Sequence, residues 1–237
     1  AGMHRSKTAT ANDDGTYTIR LEAYATGEST TTVKEQPVDI VLVLDVSGSM
    51  DDFFGTPTKV YASDLDKGKT YYVETQDGYL AVTWNDSEGS WGYYSTLLIW
   101  TSWKSLTPKT SSADSNRGRE QFYTAQKKVD ALKSAVNGFI DSVATQSPNS
   151  KIAIVKFAGD MTDRVGNDTY YDGRRGKYYN NSQIVKILTA AGTGAAGLKQ
   201  AVSALKPAGA TAADYGMQHA QSIINGAAND GYKKVVI

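Results

Sequence analysis

The sequence predicts an α/β fold of the doubly wound, Rossmann-like kind, in which a mostly parallel central sheet has helices on both faces. Two apolar runs, at 40–44 and 151–157, have the composition of strands that are buried on both faces. Segments with helical periodicity follow them, and strands that alternate with helices favour parallel pairing through right-handed crossovers. Ligands of such sheets bind at the carboxyl ends of the strands.

The first element along the chain is a strand. From Gly15 to Ala25, apolar and polar residues alternate with the period of two that a half-buried strand requires, after the turn sequence Asp13-Asp14-Gly15. Residues 1–36 are therefore predicted to form an N-terminal β segment. The α/β domain is predicted over residues 37–237.

The helices follow from the spacing of apolar side chains. Steps of three and four residues predict an amphipathic helix over 119–146, ended by Ser147-Pro148-Asn149. Two further helices are predicted at 198–205 and 214–225, and the run 233–237 has the composition of another central strand.

A metal site is predicted where the first buried strand ends. Asp45, Ser47 and Ser49 form an Asp-x-Ser-x-Ser pattern, and alternate residues of an extended turn point the same way. Hydroxyl and carboxylate oxygens are the hard ligands that Mg²⁺ prefers, and Mn²⁺ or Ca²⁺ accept them too. One carboxylate neutralises such a cation only partly, so we expect it to accept an anion from outside.

The stretch Pro37–Met50, which contains Val-Asp-Ile-Val-Leu-Val-Leu-Asp-Val-Ser-Gly-Ser-Met, resembles the first strand and metal loop of a von Willebrand factor type A (VWA) domain. The resemblance covers residues 37–50 and 119–237. It implies a metal-ion-dependent adhesion site (MIDAS) with Thr211 as the ligand of the second loop. Asp214 would be an outer-shell acceptor, and the aspartate of the third loop is expected beyond Ile237, so the C-terminal part of the fold would be absent from this sequence.

Residues 51–118 depart from the family pattern, in which the first helix would follow Met50 almost at once. Strand-like runs separated by turn sequences predict a β-rich insertion that forms an arm beside the metal loop. The arm contains all four tryptophans of the chain, and its candidate ligand-binding residues are Trp84, Trp91, Tyr93 and Tyr94. Alternatively, these aromatic rings form the insertion's own core.

Composition argues against several classes of function. Lys plus Arg and Asp plus Glu each number 25, so the net charge of zero gives no basic footprint for nucleic acid. The absence of cysteine excludes disulfides, thiolate metal sites and a cysteine nucleophile. No apolar run approaches the roughly 20 residues of a membrane-spanning helix, and no signal peptide opens the sequence.

No catalytic motif is recognisable. Ser47 does not sit in a Gly-x-Ser-x-Gly elbow, because Asp45 occupies the first glycine position. The Gly-x-Gly-x-x-Gly pattern at 192–197 is not preceded by a clear strand, which disfavours nucleotide binding. We expect a protein that is not an enzyme.

The resemblance implies an adhesin module of the cell wall or pilus tip of a Gram-positive bacterium. It would bind a carboxylate-bearing host extracellular protein through Mg²⁺, with specificity set by the arm, and would contact other pilus subunits. The N-terminal segment would then belong to a stalk, or else form an edge strand of the main sheet. The alternatives are an intracellular VWA scaffold in a metal-chelatase or ATPase-linked complex, and a structural pilus or stalk module.

Overall fold

The computed structural model describes residues 2–26, 36–97, 99–174 and 176–237, and the chain divides into two compact units, 1–35 and 36–237. The first unit is an antiparallel hairpin of β1 (Gly2–Ala11) and β2 (Tyr17–Thr26). Its turn is held by Asp14, whose Oδ1 accepts a hydrogen bond from the Thr16 backbone N–H at 3.0 Å. The predicted strand at 15–25 corresponds to β2.

The second unit contains twelve further strands and three α-helices among its described residues. In chain order they are β3 (Val38–Asp45), β4 (Thr58–Val60), β5 (Tyr71–Thr75), β6 (Gly78–Asn85), β7 (Ser90–Leu97), β8 (Trp100–Leu106), β9 (Phe122–Thr124), α1 (Lys128–Gln146), β10 (Lys151–Phe157), β11 (Thr169–Asp172), β12 (Lys177–Asn180), β13 (Gln183–Ala190), α2 (Ala191–Ser203), α3 (Ala213–Gly226) and β14 (Lys233–Val236). Short 3-10 turns occupy Gly48–Asp51 and Ala62–Asp64.

A four-stranded sheet with the order β13-β10-β3-β14 forms the centre of this unit. Strand β3 pairs in parallel with β10 and β14, whereas β13 runs antiparallel to β10. Because successive side chains of a strand point to opposite faces, β3 contributes to two cores. Leu42 packs with α1 and α2 on one face, and Val41 packs with α3 on the other.

A second, six-stranded sheet has the order β4-β9-β5-β6-β7-β8 and is antiparallel throughout. Its core consists of the buried side chains Tyr71, Val73, Val82, Trp91 and Phe122. The segments that lead into and out of this sheet pair with each other: Phe54 N donates to Gln126 O at 2.6 Å, and Lys128 N donates to Asp52 O at 2.9 Å. The sheet therefore begins and ends beside the loop that follows β3.

The predicted fold class was wrong. Among the named strands of the described residues, parallel pairing is limited to the two neighbours of β3, and the other three sheets are antiparallel, so the chain is β-rich and not a doubly wound α/β fold. The physical reason for the antiparallel pairing is the type of connection between successive strands. Strands β5 to β8 are joined by hairpin turns, and 158–182 contain the hairpin β11–β12 where a crossover helix would be needed to make β13 parallel.

The elements themselves were placed more accurately than the topology. Helix α1 starts at Lys128 and not at Arg119, because 122–124 complete the six-stranded sheet as β9. Helix α2 covers 191–203 where 198–205 was predicted, and α3 covers 213–226 where 214–225 was predicted.

Candidate functional site

Two loops meet at the carboxyl end of β3. The first follows β3 and contains Ser47 and Gly48, and the second, at 206–212, connects α2 to α3. Gly48 N donates to Gly209 O at 3.1 Å, and Ala208 N donates to Val46 O at 3.0 Å. Gly209 has φ +79°, a conformation that favours glycine. The loop of Thr211 is thereby fixed against the loop of Asp45.

The polar atoms of the first loop lie close together. Asp45 Oδ1 accepts a hydrogen bond from Ser47 N at 2.8 Å, and Ser47 Oγ lies 3.3 Å from Ser49 Oγ. Neighbouring oxygens in an octahedral magnesium shell, with bonds of about 2.1 Å, lie about 3 Å apart. The spacing of the two hydroxyls and the chemistry of the donors therefore fit a small divalent cation.

Burial differs among the predicted ligands. Ser47 is buried, Asp45 is half-buried, and Ser49 and Thr211 are exposed. Asp214 lies in the first turn of α3 and is exposed. The acidic groups are sparse: among the described residues, no three His, Cys, Asp or Glu side chains come together in a way that could hold a metal.

A buried lysine lies under the two loops. Lys156, on β10, is fully buried, and its Nζ donates to Asn180 Oδ1 at 2.6 Å, to Asn167 Oδ1 at 2.8 Å and to Asp168 O at 3.0 Å. Burial lowers the pKa of Lys156 to about 8, and the charge of Asp168 opposes this shift.

Asn180 links Lys156 to both loops through hydrogen bonds. Its Nδ2 donates to Val46 O at 3.1 Å and to Lys206 O at 2.9 Å, and its Oδ1 also accepts from Thr169 Oγ1 at 3.0 Å. A single amide thus satisfies backbone carbonyls of the loops that carry Asp45 and Thr211. Spacing along the chain gave no signal for this role, since Asn180 is far from both loops in sequence.

Ser182 and His219 reinforce the same end of the sheet. Ser182 Oγ accepts from Ala158 N and donates to Gly159 O, both at 3.0 Å, while Ala212 N donates to Ala158 O at 2.7 Å. The buried His219 ring places Nε2 3.1 Å from Ser182 O, so this histidine has a structural partner. The predicted helical position of His219 agrees with α3.

The acidic pair after the loop is held by lysines. Asp51 Oδ1 lies 2.6 Å from Lys127 Nζ, and Asp52 Oδ2 lies 3.3 Å from Lys128 Nζ. A cavity of about 280 Å³ opens beside them, and its aromatic lining includes Tyr72. Burial raises the pKa of Tyr72, and the charges of Asp130 and Asp51 add to this while Lys127 opposes it.

The four predicted ligand-binding aromatics fall into two groups. Trp91 is buried and makes edge-to-face contacts with Tyr71, Phe122 and Trp84. Trp84 and Tyr93 are half-buried and pack against the same core. Only Tyr94, among these four, is exposed, and its ring meets Trp103 edge to face at 5.0 Å.

Two of the three glycines at 192–197, Gly192 and Gly194, serve packing, whereas an added Cβ at Gly197 would meet no atom within 4 Å. They lie in α2, directly after β13, and a Cβ on Gly192 would come within 2.7 Å of Pro148 Cβ. A Cβ on Gly194 would come within 2.3 Å of Thr189 Cγ2. These close approaches account for Gly192 and Gly194 without a nucleotide.

Comparison with known proteins gives weak likenesses. No family model and no curated protein matches the chain. Among solved structures, the chain is similar to the pilus adhesin SpaC of Lactobacillus rhamnosus GG in its open conformation, with 17% identity and a TM-score of 0.40. It is also similar to the PilB minor pilin of Streptococcus sanguinis (10%, 0.40) and to an uncharacterized membrane spanning protein of Vibrio fischeri (13%, 0.36).

These alignments cover 99%, 95% and 80% of this chain but only 18%, 43% and 50% of the three other chains, respectively. TM-scores of 0.40 and below do not establish a shared fold. The assignment to the VWA family, which rested on Pro37–Met50, was wrong: the structure is β-rich with mostly antiparallel sheets, and its described residues hold no cluster of acidic or histidine metal ligands. None of the described helices is long and apolar enough to cross a membrane.

Proposed function

We propose that this chain is a binding module of an extracellular surface or pilus protein, and that it holds a divalent cation at the meeting point of the loops 45–49 and 206–212. The observation that carries the proposal is the fixing of these loops to each other by the hydrogen bonds of Gly48 and Ala208. The ligands would be Asp45, Ser47, Ser49 and Thr211, with Mg²⁺ as the cation. Asp214 would contribute through water.

The chemistry of this donor set suggests what the module binds. Asp45 is the one carboxylate among the four ligands, so the cation would keep positive charge and accept an anionic oxygen from a partner. A carboxylate side chain of an extracellular host protein supplies such an oxygen. The exposed hydroxyls of Ser49 and Thr211 lie on the open side of the site, where a partner can approach.

The six-stranded sheet supplies the second part of the proposed binding surface. Its two connecting segments leave and return next to the loop after β3, through the pairing of 52–54 with 126–128. Exposed aromatic side chains such as Tyr94 offer rigid contact area with a polar group, which is typical of recognition surfaces. We infer that this sheet decides which carboxylate-bearing protein can reach the cation.

Location on the cell wall or pilus of a Gram-positive bacterium, with other pilus subunits as neighbours, belongs to the same proposal. It agrees with the pilus adhesin and the minor pilin among the similar structures, although it does not rest on them. The absence of cysteine is compatible with a module whose stability comes from three hydrophobic cores instead of disulfides.

The proposal is tested with immobilised peptides that end in Asp or Glu, matched to peptides that end in Asn or Gln. Binding of the whole chain should require both Mg²⁺ and the carboxylate, and it should be lost in EDTA while the circular dichroism spectrum is unchanged. Asp141→Ala, an exposed carboxylate of α1, serves as the control for Asp45→Ala. Binding by Asp45→Ala equal to that of the control would contradict the proposal.

A further inference from the structure

The hairpin of β7 and β8 leaves the six-stranded sheet. Strand β6 pairs with β7 only from Thr83 to Asn85, opposite Ser90 to Gly92. Strands β7 and β8 continue together beyond that point, from the pair Tyr93 and Lys104 to the pair Leu97 and Trp100. With about 3.4 Å per residue, this two-stranded ribbon extends roughly 15 Å beyond the sheet.

The end of the ribbon is apolar and exposed. Leu97, Ile99 and Trp100 expose 76%, 86% and 77% of their surface. Turns of short hairpins usually contain Gly, Asn or Asp, yet none of these residues, and no proline, occurs between Tyr93 and Trp103. The requirements of the turn therefore do not account for the apolar residues at this end.

Polarity changes in steps along the ribbon. Behind the apolar end come the hydroxyls of Ser95, Thr96, Thr101 and Ser102, with the two threonine Oγ1 atoms 3.0 Å apart across the strands. The edge-to-face pair of Tyr94 and Trp103 follows, and the first charge is Lys104. No charged residue occurs from Gly89 to Trp103, although 21% of the chain is charged.

We propose that the exposed side chains at the end of this ribbon, Leu97, Ile99 and Trp100, insert into the interfacial region of a phospholipid bilayer. Aliphatic side chains and a tryptophan at the tip, then hydroxyls, then an aromatic pair, and a charge only at the base match the passage from hydrocarbon through headgroups to water. The uncharged tip has no electrostatic cost on entering the apolar layer. If the tip bound a pocket in another protein instead, only the tip would be buried. The graded polarity along the rest of the ribbon would then have no role.

The insertion is shallow because the ribbon is narrow. The unpaired backbone groups at the turn of a hairpin must keep hydrogen bonds to water or headgroups, so the backbone stays at the headgroup boundary and only the side chains of the tip enter the apolar layer. Anionic lipid is not required, since the ribbon carries no basic residue before Lys104. The contact is also independent of any cation held near Asp45.

The test uses the whole chain with vesicles of the zwitterionic lipid phosphatidylcholine, in the presence of EDTA. Leu97→Ser/Ile99→Ser should lower vesicle partitioning by about tenfold or more, because binding scales with the apolar area that is buried. The control is Val165→Ser/Ile187→Ser. It replaces two other exposed aliphatic side chains of the unit (58% and 61% exposed) and should leave vesicle partitioning unchanged.

Depth is read from Trp100. Brominated phosphatidylcholine should quench the fluorescence of the natural protein, and Trp100→Phe should remove most of this quenching while it keeps vesicle binding. Absence of vesicle binding, or equal binding by the serine variant and the natural chain, would overturn the proposal. Self-association in sedimentation velocity that the serine variant abolishes, without vesicle binding, would also overturn it and assign the tip to a second copy.

Discussion

Lys156 Nζ donates a hydrogen bond of 2.6 Å to Asn180 Oδ1, at the base of the loops that carry Asp45 and Thr211. The lysine is the fully buried cation of β10, and the asparagine holds a carbonyl of each loop. A charged group in this position is costly to desolvate, and its three acceptors offset that cost. The geometry of the candidate site therefore depends on a buried polar network that is remote from it in sequence.

The pH dependence of stability should reveal Lys156. Its pKa is lowered from 10.5 to about 8 in the folded chain, so the unfolded chain binds more protons between these values. Stability should therefore rise with pH from 8 towards 10.5, by up to about 3 kcal/mol for the full shift. Urea unfolding at several pH values in this range measures the rise.

Lys156→Met should abolish this rise, because methionine does not titrate. Tyr72 and Tyr123 have raised pKa values in the folded chain, so they lower stability as the pH rises through the ordinary tyrosine value near 10, and this contribution, present in both proteins, cancels in the difference. A rise of equal size in Lys156→Met would exclude Lys156 as its source.

Asn180→Ala should both destabilise the unit and loosen the loops. It removes one of the three acceptors of the buried Lys156 ammonium and a donor to the carbonyls of Val46 and Lys206, and weakening the hydrogen bonding of buried polar groups costs about 1–3 kcal/mol, more when charged. We expect a loss of about 3 kcal/mol in urea unfolding, together with faster hydrogen exchange of Gly48 N. Asn149→Ala, in an exposed turn, is the control, and equal effects of the two variants would contradict this role.

Two glycines within helices should respond to alanine with opposite signs. A Cβ at Gly216 of α3 would lie 2.9 Å from Val43 Cγ1 and 3.0 Å from Phe157 Cβ, so Gly216→Ala pushes the helix away from β3 and β10. Overpacking of this kind costs about 1–3 kcal/mol. At Gly138 of α1 no atom lies within 4 Å of the added Cβ, and alanine should stabilise by up to about 1 kcal/mol. Thermal unfolding of both variants distinguishes these outcomes, and a stabilised Gly216→Ala would refute the close packing of α3.

Asp39 should be essential at the other end of β3. This carboxylate is fully buried, with Lys234 Nζ at 3.4 Å and Lys151 Nζ at 3.9 Å, and so it links β3 to both of its parallel neighbours. Asp39→Ala leaves two lysines facing each other without their shared anion, and we expect a loss of about 3 kcal/mol in urea unfolding. Asp230→Ala removes the exposed partner of Lys151 and should have a much smaller effect. Similar losses in the two variants would contradict a special role of the buried group.

The sequence predicted features that depend on neighbouring residues. The apolar run before Asp45 gave β3, because a strand buried on both faces needs continuous apolar residues. The resemblance to the VWA family placed Asp45 and Thr211 in one candidate site, and although that family assignment was wrong, the structure fixes the two loops to each other.

Features that depend on distant residues were not predicted. Lys156 was taken only as part of the apolar run at 151–157, and its partners Asn167 and Asn180 lie 11 and 24 residues away, where spacing carries no signal. The direction of β13 depends on the hairpin β11–β12 before it, and the period of a strand does not reveal its direction. The family pattern extended the helix of α1 back over 122–124, where pairing with β4 and β5 prevails.

Titration of the chain with Mn²⁺, with free Mn²⁺ followed by electron paramagnetic resonance, shows whether the loops of Asp45 and Thr211 together hold a divalent cation. We expect one site per chain that Mg²⁺ displaces, lost in Asp45→Ala, weakened in Thr211→Val and retained in Asp141→Ala, with all variants folded. No saturable site in the natural chain, or an unchanged site in Asp45→Ala, would contradict it.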